Sequence, residues 1–298
     1  MNKNIFSILL FSATALTFTS CGSGTDDANG NGDDTSSVDN TNGKNKASLV
    51  FKSIPSPAEL ASLIKGAGVI YDYKLLNDVK NKDKYTTTTA KALNMGVYGA
   101  DCSYASMFDQ TNETMFYIQC AQSLAGAIGA SSAFDDATVN RMNDNKGNSD
   151  SVLSIMTDTY GNTDEVLHDG GRGGVSALVV SGGWIEALYI ATNLANTAKD
   201  NAKIVKRIAE LKGSLNNLIS LLQENEETEG VKAIIDKLKD IQAVYANVQG
   251  NSSAEVKGTD EKSKTTTLGG GSQMTLTKEQ LAQISKLAYD LRSSIVKP

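Results

Sequence analysis

The chain is poor in the residues on which most hydrolytic and redox enzymes depend. Among its 298 residues are one histidine (His168), three cysteines and one tryptophan. A single histidine excludes multi-histidine metal sites and leaves a catalytic triad only one possible base. The HExxH, GxSxG, CxxC and calcium-loop motifs are also absent. We therefore predict no metal, no cofactor and no enzymatic activity, and we expect His168 to cap a helix end.

Basic charge is scarce as well. The chain has 28 Lys and Arg against 34 Asp and Glu, which gives a net charge of −6. Removal of residues 1–20, which contain Lys3, would lower the net charge to −7. An acidic surface argues against binding to nucleic acid and against adhesion to anionic lipid.

The N-terminus has the form of a targeting signal. Lys3 is followed by the apolar run 5–18 and then by small residues before Cys21. The stretch Phe18-Thr19-Ser20-Cys21 resembles a bacterial lipobox, in which cleavage precedes a cysteine that becomes lipidated. This resemblance implies a signal peptide over residues 1–20 and a mature chain that begins at lipidated Cys21. The alternative is an ordinary secretory signal with a chance cysteine.

Residues 21–48 are rich in Gly, Asn, Asp, Ser and Thr and contain almost no apolar residue. Such a segment buries too little surface to offset its ordering entropy, so we predict a disordered tether. Asp26-Asp27 resembles the acidic signals that send lipoproteins of Bacteroidota to the outer face of the outer membrane. The predicted location is therefore the bacterial outer membrane, through the lipid anchor on Cys21, with possible exposure at the surface.

Long apolar runs are rare, and the longest covers residues 173–198, where Glu186 is the one charged residue. Its length approaches that of a membrane span, but it is interrupted by Ser, Thr, Asn and Gly. An ionised carboxylate near mid-membrane costs at least ~2.5 kcal/mol. We therefore predict a core helix in a soluble bundle rather than a membrane span.

Helical spacing recurs along the rest of the chain, and no strand pattern is evident. We predict one all-α domain over residues 49–298, a multi-helix bundle with a flexible loop at 250–275. Apolar residues recur at alternating intervals of three and four residues within 204–222 and again within 231–248. This apolar seam predicts a coiled-coil-like antiparallel hairpin of two helices. Capping boxes at Ser56–Glu59 and Thr277–Gln280 predict two further helix starts. The helices predicted between and after these features lie at 60–70, 73–79, 88–108, 114–130, 133–143, 149–160, 163–168 and 281–295.

Two acids interrupt apolar helices that otherwise lack nearby charge: Asp101 and Glu186. A buried carboxylate needs hydrogen bonds, a cation or a proton, so we expect both acids to be buried and close to tyrosine hydroxyls. In one interpretation each acid is structural and bonds to backbone groups, tyrosine hydroxyls or a lysine. In the other it is the polar anchor of a ligand pocket. The ligand-binding candidates are Asp101, Glu186, Tyr98, Tyr104, Trp184 and Tyr189.

Cys102 and Cys120 lie about equally far from the turn between their predicted helices. We expect two buried free thiols at similar height, with a disulfide as the alternative, because packed helix axes are usually ~8–10 Å apart.

The segments ALNMGVYGADCSY (92–104) and GGWIEALY (182–189) resemble an uncharacterised outer-membrane lipoprotein family of Bacteroidota. The resemblance extends from about Ile54 onward and implies no activity, substrate or catalytic residue. It supports the lipobox and the envelope location.

Three functional hypotheses follow. The first is a non-enzymatic binding or interaction module with an unknown protein partner or small-molecule ligand. The second is a hydrolase that uses Asp101 and Glu186 as a carboxylate pair in a solvent-reachable cleft. The third is a structural subunit of an envelope complex, which docks through an exposed apolar stripe on the predicted hairpin.

Overall fold

Helices dominate the computed structural model, which describes residue 50, residues 66–248 and, with gaps at 249, 252–254, 261–264 and 270–272, residues 250–297. All of these residues belong to one compact unit, Asp39–Pro298. The predicted signal peptide, lipidated Cys21, tether 21–48 and capping box at Ser56–Glu59 lie outside the described residues. So does most of the helix predicted over residues 60–70.

The all-α, multi-helix bundle is confirmed. Its helices are α1 (Thr88–Met107), α2 (Thr111–Ala127), α3 (Asp136–Asp144), α4 (Ser149–Asp169), α5 (Gly173–Thr197), α6 (Ala202–Gln223), α7 (Val231–Ala246) and α8 (Lys278–Val296). Short 3₁₀ turns occupy Tyr73–Leu75, Val79–Lys84 and Ser131–Phe134.

Helix α5 is the centre of the bundle and packs against α1, α4, α6 and α8. Within the described part of the chain, α5 is the helix long and apolar enough to cross a membrane by length and composition. However, 83% of the 18-residue window that meets this test is buried inside the protein. The predicted core helix is therefore present.

Helices α1 and α5 cross at direct backbone contact. A Cβ added to Gly96 of α1 would overlap the carbonyl oxygen of Val179, and a Cβ added to Gly182 of α5 would overlap the carbonyl oxygen of Leu93. Glycine is required at both positions because no side-chain atom fits between the two backbones. This close approach brings the neighbouring turns of the two helices, which carry Asp101 and Glu186, toward each other.

The predicted hairpin forms from α6 and α7, and its apolar seam is buried in the domain. Every seam position is buried except Leu211, which is partly buried. The seam is covered by α5 and α8 as well as by the partner helix. Docking through this seam would require an exposed apolar stripe. In the described residues the seam is buried, so it offers no such stripe.

The segment 250–275 differs from the predicted loop without strands. Strand β1 (Gly250–Asn251) pairs antiparallel with β4 (Gln273–Met274), and β2 (Glu255–Asp260) pairs antiparallel with β3 (Thr265–Gly269). β-branched residues suit extended pairing, and β3 begins with three threonines. The strands were missed because this segment is polar throughout and lacks the apolar alternation by which strands are recognised.

Two helix predictions were wrong in detail. Residues 149–160 and 163–168 form one continuous helix, α4, in which the Thr159 and Thr163 hydroxyls donate to the carbonyls four residues earlier, at 2.6 and 2.8 Å. The helix predicted over residues 73–79 is instead one 3₁₀ turn, Tyr73–Leu75, followed by irregular residues and by a second 3₁₀ segment that begins at Val79. Their starts are capped by Asp72 and Asp78, whose carboxylates accept from backbone N–H groups two residues later.

Candidate functional site

Asp101 on α1 and Glu186 on α5 meet in the core, and both residues are fully buried. Their burial confirms the prediction. The two carboxyl groups are neighbours, and the negative charge of Glu186 raises the pKa of Asp101. Since a carboxylate cannot donate, a hydrogen bond between them needs a proton on one of the two acids.

Arg292 on α8 neutralises Glu186. Its Nε lies 2.9 Å from Oε2 and its Nη2 lies 3.0 Å from Oε1, which is a bidentate pair. Nη2 also donates to the carbonyl of Leu75 at 3.1 Å, and the guanidinium lies 4.7 Å from the centre of the Tyr189 ring. The guanidinium is thus held by a carboxylate, a carbonyl and an aromatic face together.

Among the described residues, the ion pair in this cluster joins Arg292 to Glu186 and not to Asp101. The Oδ2 of Asp101 accepts from the backbone N–H of Asn77 at 3.1 Å. Its Oδ1 is buried and, within the described part of the chain, has no hydrogen-bond partner. A proton between the two carboxyls would supply one. Burial, and then the neighbouring charge of Glu186, hold the pKa of Asp101 well above its usual range. Burial also raises the pKa of Glu186, although Arg292 opposes this shift. We therefore place the proton on Asp101 and the negative charge on Glu186.

A polar network extends from Asp101 to residues 71–85, here called the strap, and to the end of α8. The Asn77 side-chain amide donates to the Tyr85 hydroxyl at 2.9 Å and to Asn94 Oδ1 at 3.2 Å. Asn94 on α1 donates to the carbonyl of Ile295 at 3.0 Å, and the Tyr85 hydroxyl donates to the carbonyl of Val296 at 3.1 Å. The network therefore ties the strap, α1 and α8 into one unit.

The tyrosine candidates on α1 hold the strap rather than the acids. The Tyr98 hydroxyl donates to the carbonyl of Asp78 at 2.9 Å, and the Tyr104 hydroxyl accepts from the N–H of Asp72 at 3.2 Å. Tyr104 also stacks on Tyr71 with ring centres 5.4 Å apart. The described hydrogen bonds to the acids come from Arg292 and from the Asn77 backbone, not from tyrosine hydroxyls.

Trp184 lies apart from the acid pair. Its indole N–H donates to the Ser214 hydroxyl of α6 at 3.0 Å, whereas Glu186, two residues later, faces α8. Two residues correspond to about 200° around a helix, so the two side chains leave α5 on nearly opposite sides. The structure therefore brings together Asp101, Glu186 and Tyr189, places Tyr98 and Tyr104 on the adjoining strap, and separates Trp184.

This geometry does not supply the solvent-reachable carboxylate pair of a glycosidase. That chemistry needs two carboxyls at least ~5 Å apart with room for a sugar and a water. Here the two acids are neighbours inside the core, and neither residue has measurable exposure. Among the residues that the structure describes, no three His, Cys, Asp or Glu side chains form a group able to hold a metal ion.

The sequence interpretation missed the partner groups Arg292, Asn77, Asn94 and Tyr85. Arg292 follows Leu291, which belongs to the apolar stripe of α8, so it occupies an edge of the buried face. An arginine at the edge of an apolar stripe, in a chain with two core acids, is the signal that could have found it. The asparagines gave no comparable signal.

His168 lies in the last turn of α4, at a helix end as predicted, and its side chain is buried. Its Nδ1 lies 2.9 Å from the carbonyl oxygen and 3.0 Å from the carboxylate Oδ1 of Asp164, and the Ser176 hydroxyl donates to the same carboxylate. The serine and the histidine thus both bond Asp164. This cluster joins the end of α4 to the start of α5.

Cys102 and Cys120 are free and buried, as predicted. Burial raises the pKa of both thiols, that of Cys120 to about 11. Such thiols are poor nucleophiles at neutral pH.

Comparison with protein-family models, with curated proteins and with solved structures found no match to this chain.

Proposed function

We propose that the protein is a lipid-anchored helical lipoprotein of the bacterial outer membrane, which acts as a non-enzymatic binding or interaction module. The observation that supports the non-enzymatic role is the closed, charge-paired cluster of Asp101, Glu186 and Arg292. Asp101 and Glu186, the two candidate catalytic acids of the hydrolase hypothesis, lie next to each other and next to the Arg292 guanidinium inside the core. Their work is to hold helices together, which leaves the outer surface for contact with a partner or ligand.

The anchor is supported by the lipobox-like residues around Cys21. Several acyl chains on one cysteine would give firm attachment, where a single chain binds membranes only marginally. The polar stretch that follows would let the helical domain stand clear of the bilayer.

Metabolic labelling with a clickable fatty acid, followed by membrane fractionation, tests the anchor. We expect wild type to carry label and to sediment with the outer membrane, whereas Cys21→Ser loses the label and the membrane association. Cys120→Ser is the matched control and keeps both, because that thiol lies inside the domain. Full labelling of Cys21→Ser would overturn the anchor.

An assay of the purified predicted domain, residues 49–298, with chromogenic glycosides distinguishes a non-enzymatic protein from a hydrolase that uses the carboxylate pair. We expect no turnover above buffer by wild type. Turnover that disappears in a folded Asp101→Asn variant would establish the hydrolase instead.

A further inference from the structure

We propose that the Asp101–Glu186–Arg292 cluster is a proton-dependent latch, which holds the strap and the end of α8 on α1 and α5 while one proton lies between the two carboxyls. Loss of that proton leaves two negative charges against one positive charge in the core, and the latch loosens.

The first support is the charge balance. The cluster holds two acids and one base, and the side chains of Glu186 and Arg292 are 0% and 12% exposed. Asp101 is equally buried, and its Oδ1 finds no donor unless the pair shares a proton. A buried charge without a partner is strongly unfavourable, so the cluster is balanced only in its protonated form.

The second support is what surrounds Asp101. The charged groups that act on it are Glu186 from α5 and Arg292 from α8. Its other titratable neighbours are neutral phenols and thiols, which cannot replace the missing positive charge. They are Tyr71 and Tyr85 from the strap, Tyr98 and Cys102 from α1, Tyr117 and Cys120 from α2, Tyr160 from α4 and Tyr189 from α5.

The third support is the set of segments that the cluster holds. The strap is bonded at two points, through the Asn77 N–H to Asp101 and through the Leu75 carbonyl to Arg292. Helix α8 is bonded through Arg292 itself. Arg292 is the most exposed member of the cluster, so water that solvates a new charge enters where the strap and α8 meet.

The direction of the pH effect follows from linkage. The pKa of Asp101 is raised in the folded state, so between its unfolded value and its folded value the folded chain binds one proton more than the unfolded chain. The full contribution is present below the unfolded pKa, near 4, and is progressively lost as the pH rises toward the folded pKa. Stability therefore falls with rising pH over this window.

Urea unfolding of the full chain from pH 5 to pH 9 tests the latch in wild type, Asp101→Asn and Glu186→Gln. The folding equilibrium constant of wild type relative to Asp101→Asn should fall by up to tenfold per pH unit, until folded Asp101 ionises. Glu186→Gln should weaken this dependence without abolishing it, because it removes the neighbouring negative charge but leaves the burial that also raises the pKa of Asp101. Parallel pH profiles for wild type and both variants would overturn the proposal.

Two measurements on the wild-type protein keep the test valid if a variant fails to fold. Infrared spectroscopy at neutral pH should show the C=O stretch of a buried protonated carboxyl, and its absence contradicts the latch. Amide hydrogen exchange, corrected for its intrinsic pH dependence, should lose protection in residues 288–296 as pH rises, while the centre of α5 stays protected. Uniform loss of protection would show global unfolding instead of a latch.

Discussion

At the scale of single residues, Arg292 lowers the energetic cost of burying the core acids, because it supplies the positive charge that pairs with Glu186. It forms the bidentate pair with Glu186 and also binds the strap through Leu75. Removing one member of a buried ion pair leaves the other charge in a medium that cannot solvate it. The identity of this residue therefore matters more to stability than that of any surface arginine.

We expect Arg292→Met to lower the free energy of unfolding by ~3–5 kcal/mol, since it strands Glu186 without a cation. Arg207→Met is the matched control. Arg207 pairs with Glu210 at 2.7 Å, and their side chains are 36% and 30% exposed, against 12% and 0% for Arg292 and Glu186. Ion pairs that are open to solvent contribute only ~0–1 kcal/mol. Urea denaturation at pH 7 measures both changes. An equal decrease in the free energy of unfolding in the two variants would mean that the buried pair contributes no more to stability than the pair nearer the surface.

The same residues show how far sequence reasoning reaches. Asp101 and Glu186 were identifiable because each stands without nearby charge in an apolar helix. Their partners were not, because Arg292 is 106 residues from Glu186 and the Asn77 backbone is 24 residues from Asp101. Pairing over such distances is set by tertiary packing, which no local pattern encodes.

At the scale of elements, the crossing of α1 and α5 fixes where the two acids meet. Gly96 and Gly182 let the helix backbones touch, with no side chain between them. Close packing of this kind tolerates little added volume.

We expect Gly182→Ala to destabilise the protein by at least ~1–3 kcal/mol, because the new methyl group meets the backbone of Leu93. Gly213→Ala in α6 is the control, since a Cβ there meets nothing within 4 Å. It should stabilise the protein by ~0.5–1 kcal/mol, through the better helix propensity of alanine. Thermal unfolding followed by circular dichroism compares the two. A Gly182→Ala midpoint at or above that of wild type would contradict the described crossing.

The elements also differ in how well the sequence predicted them. Helices with a regular apolar stripe, such as α6, α7 and α8, were found close to their true bounds, and the Thr277–Gln280 capping box is formed. The strands within 250–274 and the strap were missed. Their conformations depend on pairing and on polar contacts with distant residues, not on a repeating apolar pattern.

At the scale of the whole molecule, the buried thiols report on global opening. Cys102 lies in α1 and Cys120 in α2, and both are free and inaccessible in the folded state. Their reaction with an alkylating agent needs the helices to separate.

We expect intact mass spectrometry of the soluble domain, expressed without Cys21, to show no rapid alkylation at pH 7 and two alkylated thiols in denaturant. Raised thiol pKa values slow the reaction further, because the thiolate is the reactive form. Reductant should change neither result. Rapid labelling of the native protein, or denatured protein that gains both labels only after reduction, would contradict the described core.

The position of Arg292 in the chain also has a consequence for biosynthesis. Arg292 follows Glu186 by 106 residues, so both acid-bearing helices are translated long before their counter-charge exists. A nascent polypeptide that holds α1 and α5 but not α8 would have to bury two acids without a guanidinium. Burial of Glu186 therefore costs more in such a fragment than in the whole chain. The ion pair makes the stability of the contact between α1 and α5 depend on α8, the last helix to be synthesised.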